Sequence, residues 1–164
     1  MLIREMTESE CGCALEQLDF GRLACVRDHQ PYIVPVYISC EGRHLYGVTT
    51  LGQKIEWMRS NPLVCLEIDD RTNHYQWMSI VVYGRYEELP DTPEHERARA
   101  HALEVVQRRP MWWQPAAISI DRKEHRPPIF YRIHIESMTG RRATPDAIEA
   151  AALAAALPHS HRLG

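Results

Sequence analysis

The sequence contains no long hydrophobic run. No stretch of the 164 residues approaches the roughly 20 apolar residues that a membrane-spanning helix needs. The opening segment, MLIREMTESE, turns acidic at once and lacks the apolar core of a secretory signal peptide. We therefore expect a cytoplasmic protein that has no membrane partner.

An excess of charge of one sign is also missing. The chain has 19 Lys and Arg residues against 22 Asp and Glu, which gives a formal net charge of −3. Proteins that bind nucleic acids or anionic membranes usually carry a basic excess, so neither partner is expected. A small anion such as a phosphate responds to local charge only, so a phosphate site stays possible.

Motifs for metal binding and for disulfide frameworks are absent. The five cysteines are an odd number, and Cys25, Cys40 and Cys65 lie in apolar, strand-like runs typical of buried, reduced thiols. Cys11 and Cys13 form a lone C-x-C without further ligands at metal-binding spacing. The nine histidines are scattered and form neither H-x-x-x-H nor H-E-x-x-H. No metal site is predicted.

Segments rich in β-branched and aromatic residues, separated by turn residues, predict about six strands. The first three follow one another across short turns, which favours an antiparallel meander over a parallel sheet with helical crossovers. Closing such a sheet into a small barrel would remove its edges. The predicted strands are Phe20–Arg27, Tyr32–Ile38, His44–Val48, Leu63–Asp69, Trp77–Glu88 and Ile129–Glu136.

Helix-forming segments flank these strands. We place the main domain at residues 1–142 and an alanine-rich tail or helix at residues 143–164. The predicted helices run from Thr7 to Leu18, from a capping box at Thr50 and Gln53 to about Ser60, from a cap at Asp91 with Glu94 to about Arg109, and from Ala147 to Leu157.

The junction between the third strand and the second helix, Val48-Thr49-Thr50-Leu51-Gly52-Gln53-Lys54, predicts an anion site. A helix N-terminus presents unpaired N–H groups and a partial positive charge, and Lys54 adds a full charge in the first turn. A phosphate would suit such a site. The alternative interpretation is a capped surface helix with a solvated lysine.

Two further strands carry candidate binding residues. Arg22 and Arg27 point to opposite sides of an ideal strand, and we expect Arg22, beside Gly21, to face the site. Period-two alternation places Trp77, Ser79, Val81 and Tyr83 on one face of the fifth strand, where they would flank a planar ring. The alternative for Arg22 is a side chain exposed to solvent. The alternative for the residues of the fifth strand is ordinary packing within the barrel.

The order of these motifs resembles the pyridoxamine 5′-phosphate oxidase-like split-barrel flavoproteins, and most closely the branch with the nitroimidazole-resistance reductases. No single motif is diagnostic, and the resemblance covers roughly residues 5–142. The matching positions are Gly21 to Ala24, Pro31 to Val36, Thr49 with Thr50, Gly52 and Lys54, Asn61 with Pro62, Val64 and Glu67, Trp77 with Ser79, Val81, Val82 and Gly84, Tyr131 to Ile133, and Thr139 to Arg141.

This resemblance implies a mainly β fold with flanking helices, a six-stranded antiparallel split β-barrel of Greek-key type. It also implies FMN bound at a homodimer interface and a flavin-dependent oxidoreductase that acts on a small planar acceptor. Lys54, Thr49 and Arg22 would hold the FMN phosphate, and Ser79 would lie near the flavin. The implied cofactor-binding set is Arg22, Leu23, Ala24, Pro35, Val36, Thr49, Thr50, Lys54, Trp77, Ser79 and Val81.

One departure from the family narrows the expected activity. True pyridoxamine phosphate oxidases carry an arginine-rich strand ending where this chain has Met78-Ser79-Ile80-Val81, so vitamin B6 synthesis is not predicted. A flavin-binding sensor without turnover, or a deazaflavin or haem in the same slot, remains the alternative. His44 and His134 are strand candidates for a haem ligand, and Trp112 with Trp113 would form either a lid or a hydrophobic plug.

Overall fold

A computed structural model describes residues 1–108 and 127–156 of the chain, with side chains up to residue 154. These residues form eight strands and four helices. They are β1 (Leu2–Met6), α1 (Glu8–Leu15), β2 (Phe20–Arg27), β3 (Gln30–Tyr37), β4 (Ser39–Glu41), β5 (His44–Thr49), α2 (Gln53–Ser60), β6 (Leu63–Arg71), β7 (Trp77–Leu89), α3 (Glu96–Gln107), β8 (Ile129–Thr144) and α4 (Ala147–Ala156).

All the strands belong to one antiparallel sheet of order β3-β2-β6-β7-β8-β5-β4, and β1 adds to β8. Within the described residues this sheet is not closed into a barrel. The 16-residue β8 pairs with β7 along one edge, while β5 and β1 share its other edge. The mainly β fold with flanking helices is thus confirmed, with two short strands, β1 and β4, beyond the six that the sequence predicts.

The predicted meander of the first three long strands is wrong. β2 and β3 do form a hairpin, whose turn residues Asp28 and His29 have φ values of 51° and 62°. Such left-handed residues match the two-residue turns that suit strand twist. After β3, however, the chain makes the β4–β5 hairpin, and β5 pairs with the distant β8. Local composition cannot predict the pairing of β5 with β8, because the two strands are about 80 to 90 residues apart in the sequence.

Two of the predicted helix starts are also wrong. α1 has a true capping box between Thr7 and Glu10. α2 instead begins after Gly52, and α3 begins after His95; neither helix has a side-chain cap hydrogen bond. The spacing of Thr50 and Gln53 imitates a capping box, but Thr50 lies two residues before the actual cap.

The core lies between the sheet and the helices packed on its inner face. Leu15 of α1 and Ile55 and Met58 of α2 are fully buried against it. A smaller cluster forms where Ala102 and Val106 of α3 cover the end of β5 and β8. Period-two burial on β2, β6 and β7 then leaves an outer sheet face that no helix of the described residues covers.

The five cysteines are all free thiols in this fold. Cys25 is buried, while Cys40 and Cys65 are only half-buried, and no disulfide joins the described cysteines. No helix in the described part of the chain is both long and apolar enough to span a bilayer. The predicted alanine-rich helix is present as α4, whereas Trp112 and Trp113 lie outside the described residues.

Substitution of Gly84 tests the register of the two longest strands. Gly84 sits at the bulge between β7 and β8, where an added Cβ would meet the His134 carbonyl oxygen at 2.5 Å and Ile133 Cγ2 at 2.7 Å. Gly84→Ala should therefore lower the free energy of unfolding by about 1–3 kcal/mol, measured by urea denaturation.

Gly12→Ala is the matched control. A Cβ at Gly12 meets nothing within 4 Å, and this residue lies inside α1, so the same substitution should stabilise by about 0.5–1 kcal/mol. Equal effects of the two substitutions would contradict the close approach at the bulge.

Candidate functional site

Lys54 lies in the first turn of α2 and is the cation at the centre of the predicted anion site. Its Nζ donates a hydrogen bond to Thr49 Oγ1 over 2.7 Å. Burial lowers the pKa of this ammonium group, and no carboxylate of the described residues offsets that effect. A half-buried cation without a counter-charge is unfavourable, so an anion bound there would be stabilised.

The start of α2 adds backbone donors beside Lys54. Gly52 is the N-cap and has extended backbone, and no side chain caps the first N–H groups of the helix. Ile55 N and Glu56 N donate to Gly52 O, and the N–H groups of Gln53 and Lys54 precede the first residues that can bond within the helix. Thr50 is exposed just before this turn. The structure thus brings Thr49 and Lys54 into contact, and Thr50 follows Thr49 directly in the chain.

Arg22 is held elsewhere. It faces outward on β2, and its Nη1 donates to Asp69 Oδ1 at 2.5 Å and to Glu67 Oε2 at 3.3 Å. Two carboxylates already surround this one guanidinium, so a phosphate dianion there would meet net negative charge. These two ion pairs therefore disfavour Arg22 as a phosphate ligand.

An open cleft of about 480 Å³ on the outer sheet face collects three of the predicted residues, Arg22, Trp77 and Ser79. Glu67, Asp69 and His74 line the same cleft. Ser79 Oγ donates to Glu67 Oε1 over 2.9 Å. The cleft is therefore built on a hydrogen-bonded chain across three neighbouring strands, β7, β6 and β2.

The other predicted ring contacts divide between the two faces of the sheet. Ala24, Pro35 and Val81 are on the outer face, in register with or next to the Arg22 and Glu67 pair. The Leu23 and Val36 side chains are buried in the core, so only their backbone groups could contact a ligand on the outer face.

The two acidic residues Glu67 and Asp69 were missed as site residues. The sequence does carry a signal for them, because residues two apart on a strand share a face. A strand with acidic residues at positions i and i+2, next to strands with an outward arginine and serine, predicts a polar outer face. Only the register, which sets Arg22 opposite Glu67, identifies their partners.

The phosphate-type site and the cleft lie along the same strand. Lys54 is close enough to Cys25 of β2 for the two groups to interact electrostatically, and Cys25 is three residues from Arg22. Cys25, however, faces the core while Arg22 faces outward, so the two sites approach β2 from opposite faces of the sheet. A ligand with a phosphate at one end and a ring at the other would have to pass around the end or edge of the strand to contact both.

The two strand histidines named as haem-ligand candidates do not line this cleft. The His44 and His134 rings contact each other at a tilt of 53°, with centroids 5.2 Å apart. Burial, followed by the charge of Arg132, lowers the pKa of His44. Tyr83 is exposed on the outer face. Among the residues described by the structure, no three His, Cys, Asp or Glu side chains are arranged to hold a metal ion.

Comparison with known proteins gives consistent matches. The family model described as pyridoxamine 5′-phosphate oxidase matches residues 7–142. An uncharacterized protein of Rhizobium meliloti strain 1021 is 42% identical over 149 residues, which are 87% of this chain and 97% of the relative.

Solved structures match over most of the chain. A FAD-binding protein from Mesorhizobium loti is 44% identical with a TM-score of 0.74, covering 88% of this chain and all of the other. A candidate 5-nitroimidazole antibiotic resistance protein from Bacteroides thetaiotaomicron is 19% identical with a TM-score of 0.62, covering 87% and 89% of the two chains. The second likeness concerns the fold alone.

Lys54→Met tests whether the buried ammonium is unfavourable without a ligand. Methionine fills similar space without a desolvated charge, so the ligand-free variant should be more stable by roughly 0.5–1 kcal/mol at neutral pH. Because burial lowers the pKa of Lys54 below its ordinary value near 10.5, the unfolded chain binds this proton more tightly, and wild-type stability rises with pH through that window. The gain should therefore shrink near pH 10.5.

Urea denaturation at the two pH values measures this difference. Gln53→Met is the matched control, since Gln53 is exposed in the same turn and should give no change. A destabilised Lys54→Met variant would show that the ammonium group supports the fold and is not reserved for a ligand.

Proposed function

Because this chain belongs to the pyridoxamine 5′-phosphate oxidase family, we propose that it is a flavoprotein that binds FMN between two identical subunits. We further propose that it is a flavin-dependent oxidoreductase acting on a small planar acceptor. The observation that carries this proposal is the half-buried Lys54, which has no carboxylate partner among the described residues and lies at the uncapped start of α2.

The residues present fit the phosphate end of a flavin. Lys54 would supply the charge, Thr49 and Thr50 would supply hydroxyl groups, and the first N–H groups of α2 would supply backbone donors. A charge-assisted hydrogen bond from a half-buried ammonium is stronger than one at an exposed lysine. Arg22 is less suited to this site, because Glu67 and Asp69 already accept its hydrogen bonds.

The outer sheet face fits the ring end. Trp77, Ser79 and Val81 would flank the isoalloxazine with side chains, while Ala24 and Pro35 leave room for a flat group to approach the backbone. The bound flavin supplies the hydride chemistry of the reaction. The chain's own residues hold the phosphate, orient the ring in the cleft and exclude water from one of its faces.

The homodimer is supported by apolar side chains exposed on the outer face. Ile33 is 62% exposed, and Leu63 and Tyr83 are each 51% exposed, on the strands β3, β6 and β7. Such side chains on an open sheet face favour burial against another surface. A second copy would bury them and cover the open side of the cleft.

FAD is the second candidate cofactor, because the structure from Mesorhizobium loti is named as that of a FAD-binding protein. A larger cleft of about 710 Å³ starts at Leu51 and Gly52, at the same end of α2 as Lys54. In FAD, the diphosphate would lie at Lys54 and the adenosine in this larger cleft.

Titration with three flavins tests the cofactor and the role of Lys54. FMN should bind to the wild type, and Lys54→Met should weaken this binding about ten- to a hundredfold, the contribution expected of a charge-assisted hydrogen bond. Riboflavin lacks the phosphate, so its affinity should be the same for both proteins. Quenching of flavin fluorescence measures each affinity, and FAD is titrated in parallel.

The outcomes are distinct. Equal weakening of FMN and riboflavin would show that Lys54 does not hold the phosphate. If FAD bound much more tightly than FMN, FAD and not FMN would be the cofactor. A wild-type protein that binds none of the three flavins would contradict the proposal.

Ile33→Glu tests the dimer. A charge on the outer face should be excluded from an apolar interface, so this variant should be monomeric where the wild type has twice the chain mass by light scattering. Leu103→Glu is the control, because Leu103 is 40% exposed on α3, which packs on β4, β5 and β8 rather than on β3. A dimer that survives Ile33→Glu would place the subunit contact elsewhere.

A further inference from the structure

Glu67 is the middle member of a three-residue hydrogen-bonded chain in the cleft. Its Oε1 accepts from Ser79 Oγ at 2.9 Å, and its Oε2 accepts from Arg22 Nη1 at 3.3 Å. Both partners were predicted from the sequence as cofactor contacts, whereas Glu67 had no predicted role. Glu67 lies on β6, between the strands that carry the other two residues.

The position of Glu67 decides how Ser79 can interact with a ligand. A serine hydroxyl has one proton and two acceptor lone pairs, whereas a carboxylate paired with a guanidinium has no proton to donate. The single proton of Ser79 is therefore used by Glu67, and Ser79 Oγ can only accept a hydrogen bond from the cleft. Arg22 can only donate, because a guanidinium has no acceptor.

An acceptor beside a donor is complementary to a ligand that has an N–H beside a carbonyl. The pyrimidine end of an isoalloxazine has this pattern, an imide N3–H between two carbonyl groups. The carboxamide of a nicotinamide also has an N–H beside a carbonyl. Flavin ring nitrogens and carbonyl oxygens that carry no proton could not hydrogen-bond to Ser79 in this arrangement, because they too can only accept.

We propose that Glu67 is a specificity-determining positioning residue, which holds Ser79 as a hydrogen-bond acceptor so that the cleft recognises the imide N3–H of the flavin. This inference rests on the proposed flavin binding. It assigns the pyrimidine end of the ring to the part of the outer cleft lined by Ser79 and Arg22.

Replacing Glu67 by glutamine should reverse the hydrogen bond. Arg22 only donates, so the amide oxygen of the new side chain must face Arg22 and its NH₂ group must face Ser79. Ser79 then accepts from the amide and turns its own proton toward the cleft. The shape of the site is unchanged, whereas the hydrogen-bonding direction of Ser79 is inverted.

The experiment compares FMN with N3-methyl-FMN, which lacks the imide proton. The wild type should bind N3-methyl-FMN about three- to tenfold more weakly than FMN, the range expected for one neutral hydrogen bond. Ser79→Ala should bind the two flavins equally. Glu67→Gln should bind FMN more weakly than the wild type does, and should no longer prefer it to N3-methyl-FMN.

Controls separate this effect from general damage and from crowding by the methyl group. Glu104→Gln and Ser60→Ala make the same two changes at an exposed glutamate on α3 and an exposed serine on α2. Both variants should still prefer FMN to N3-methyl-FMN, as the wild type does. A preference that persists in Glu67→Gln would reflect steric exclusion of the methyl group and would overturn the inference.

Two further outcomes distinguish this inference from the proposed function. Equal binding of both flavins by the wild type would overturn the role of Ser79 and leave flavin binding intact. If Ser79→Ala weakened binding of nicotinamide mononucleotide only, the cleft would recognise the carboxamide and the flavin assignment would be overturned. Absence of any flavin binding would reject the proposed function itself.

Discussion

The pairing of β7 with β8 holds the rest of the structure together. These two strands are the longest of the sheet, with 13 and 16 residues, and their register is offset once at the bulge by Gly84. β7 connects to β6, β2 and β3, while β8 connects to β5, β4 and β1. A slip of one residue between them would exchange the core and outer faces of half the sheet. The cleft on β2, β6 and β7 depends on this register.

The candidate site combines groups that are each unfavourable in an empty protein. Lys54 is half-buried without a carboxylate partner in the described part of the chain, and burial lowers the pKa of its ammonium group. The outer face exposes large apolar side chains such as Ile33 and Tyr83. A bound anion would stabilise the first, and a second copy of the chain would bury the second. Both features are typical of binding sites, where a group that serves binding lowers the stability of the ligand-free protein.

Local chemistry predicted some elements and failed for others. β2 was predicted with its actual bounds, because its composition and flanking turns are both local signals. The predicted starts of α2 and α3 were wrong, because side chains at capping spacing do not show where the helix backbone begins. The last strand was predicted eight residues too short. Its extension to Thr144 is stabilised by pairing with β1 and β7, which are distant in sequence.

By itself, the sequence determined the class of the fold, the outward face of β7 and the grouping of Thr49, Thr50 and Lys54 at one helix start. Each depends on residues within a few positions of one another, where periodicity and chain connectivity suffice. Only the tertiary structure decided that β5 joins β8 and that Arg22 is neutralised by Glu67 and Asp69. It also decided that the proton of Ser79 belongs to Glu67. Strand register sets these contacts, because they join residues up to about 90 positions apart that local patterns cannot pair.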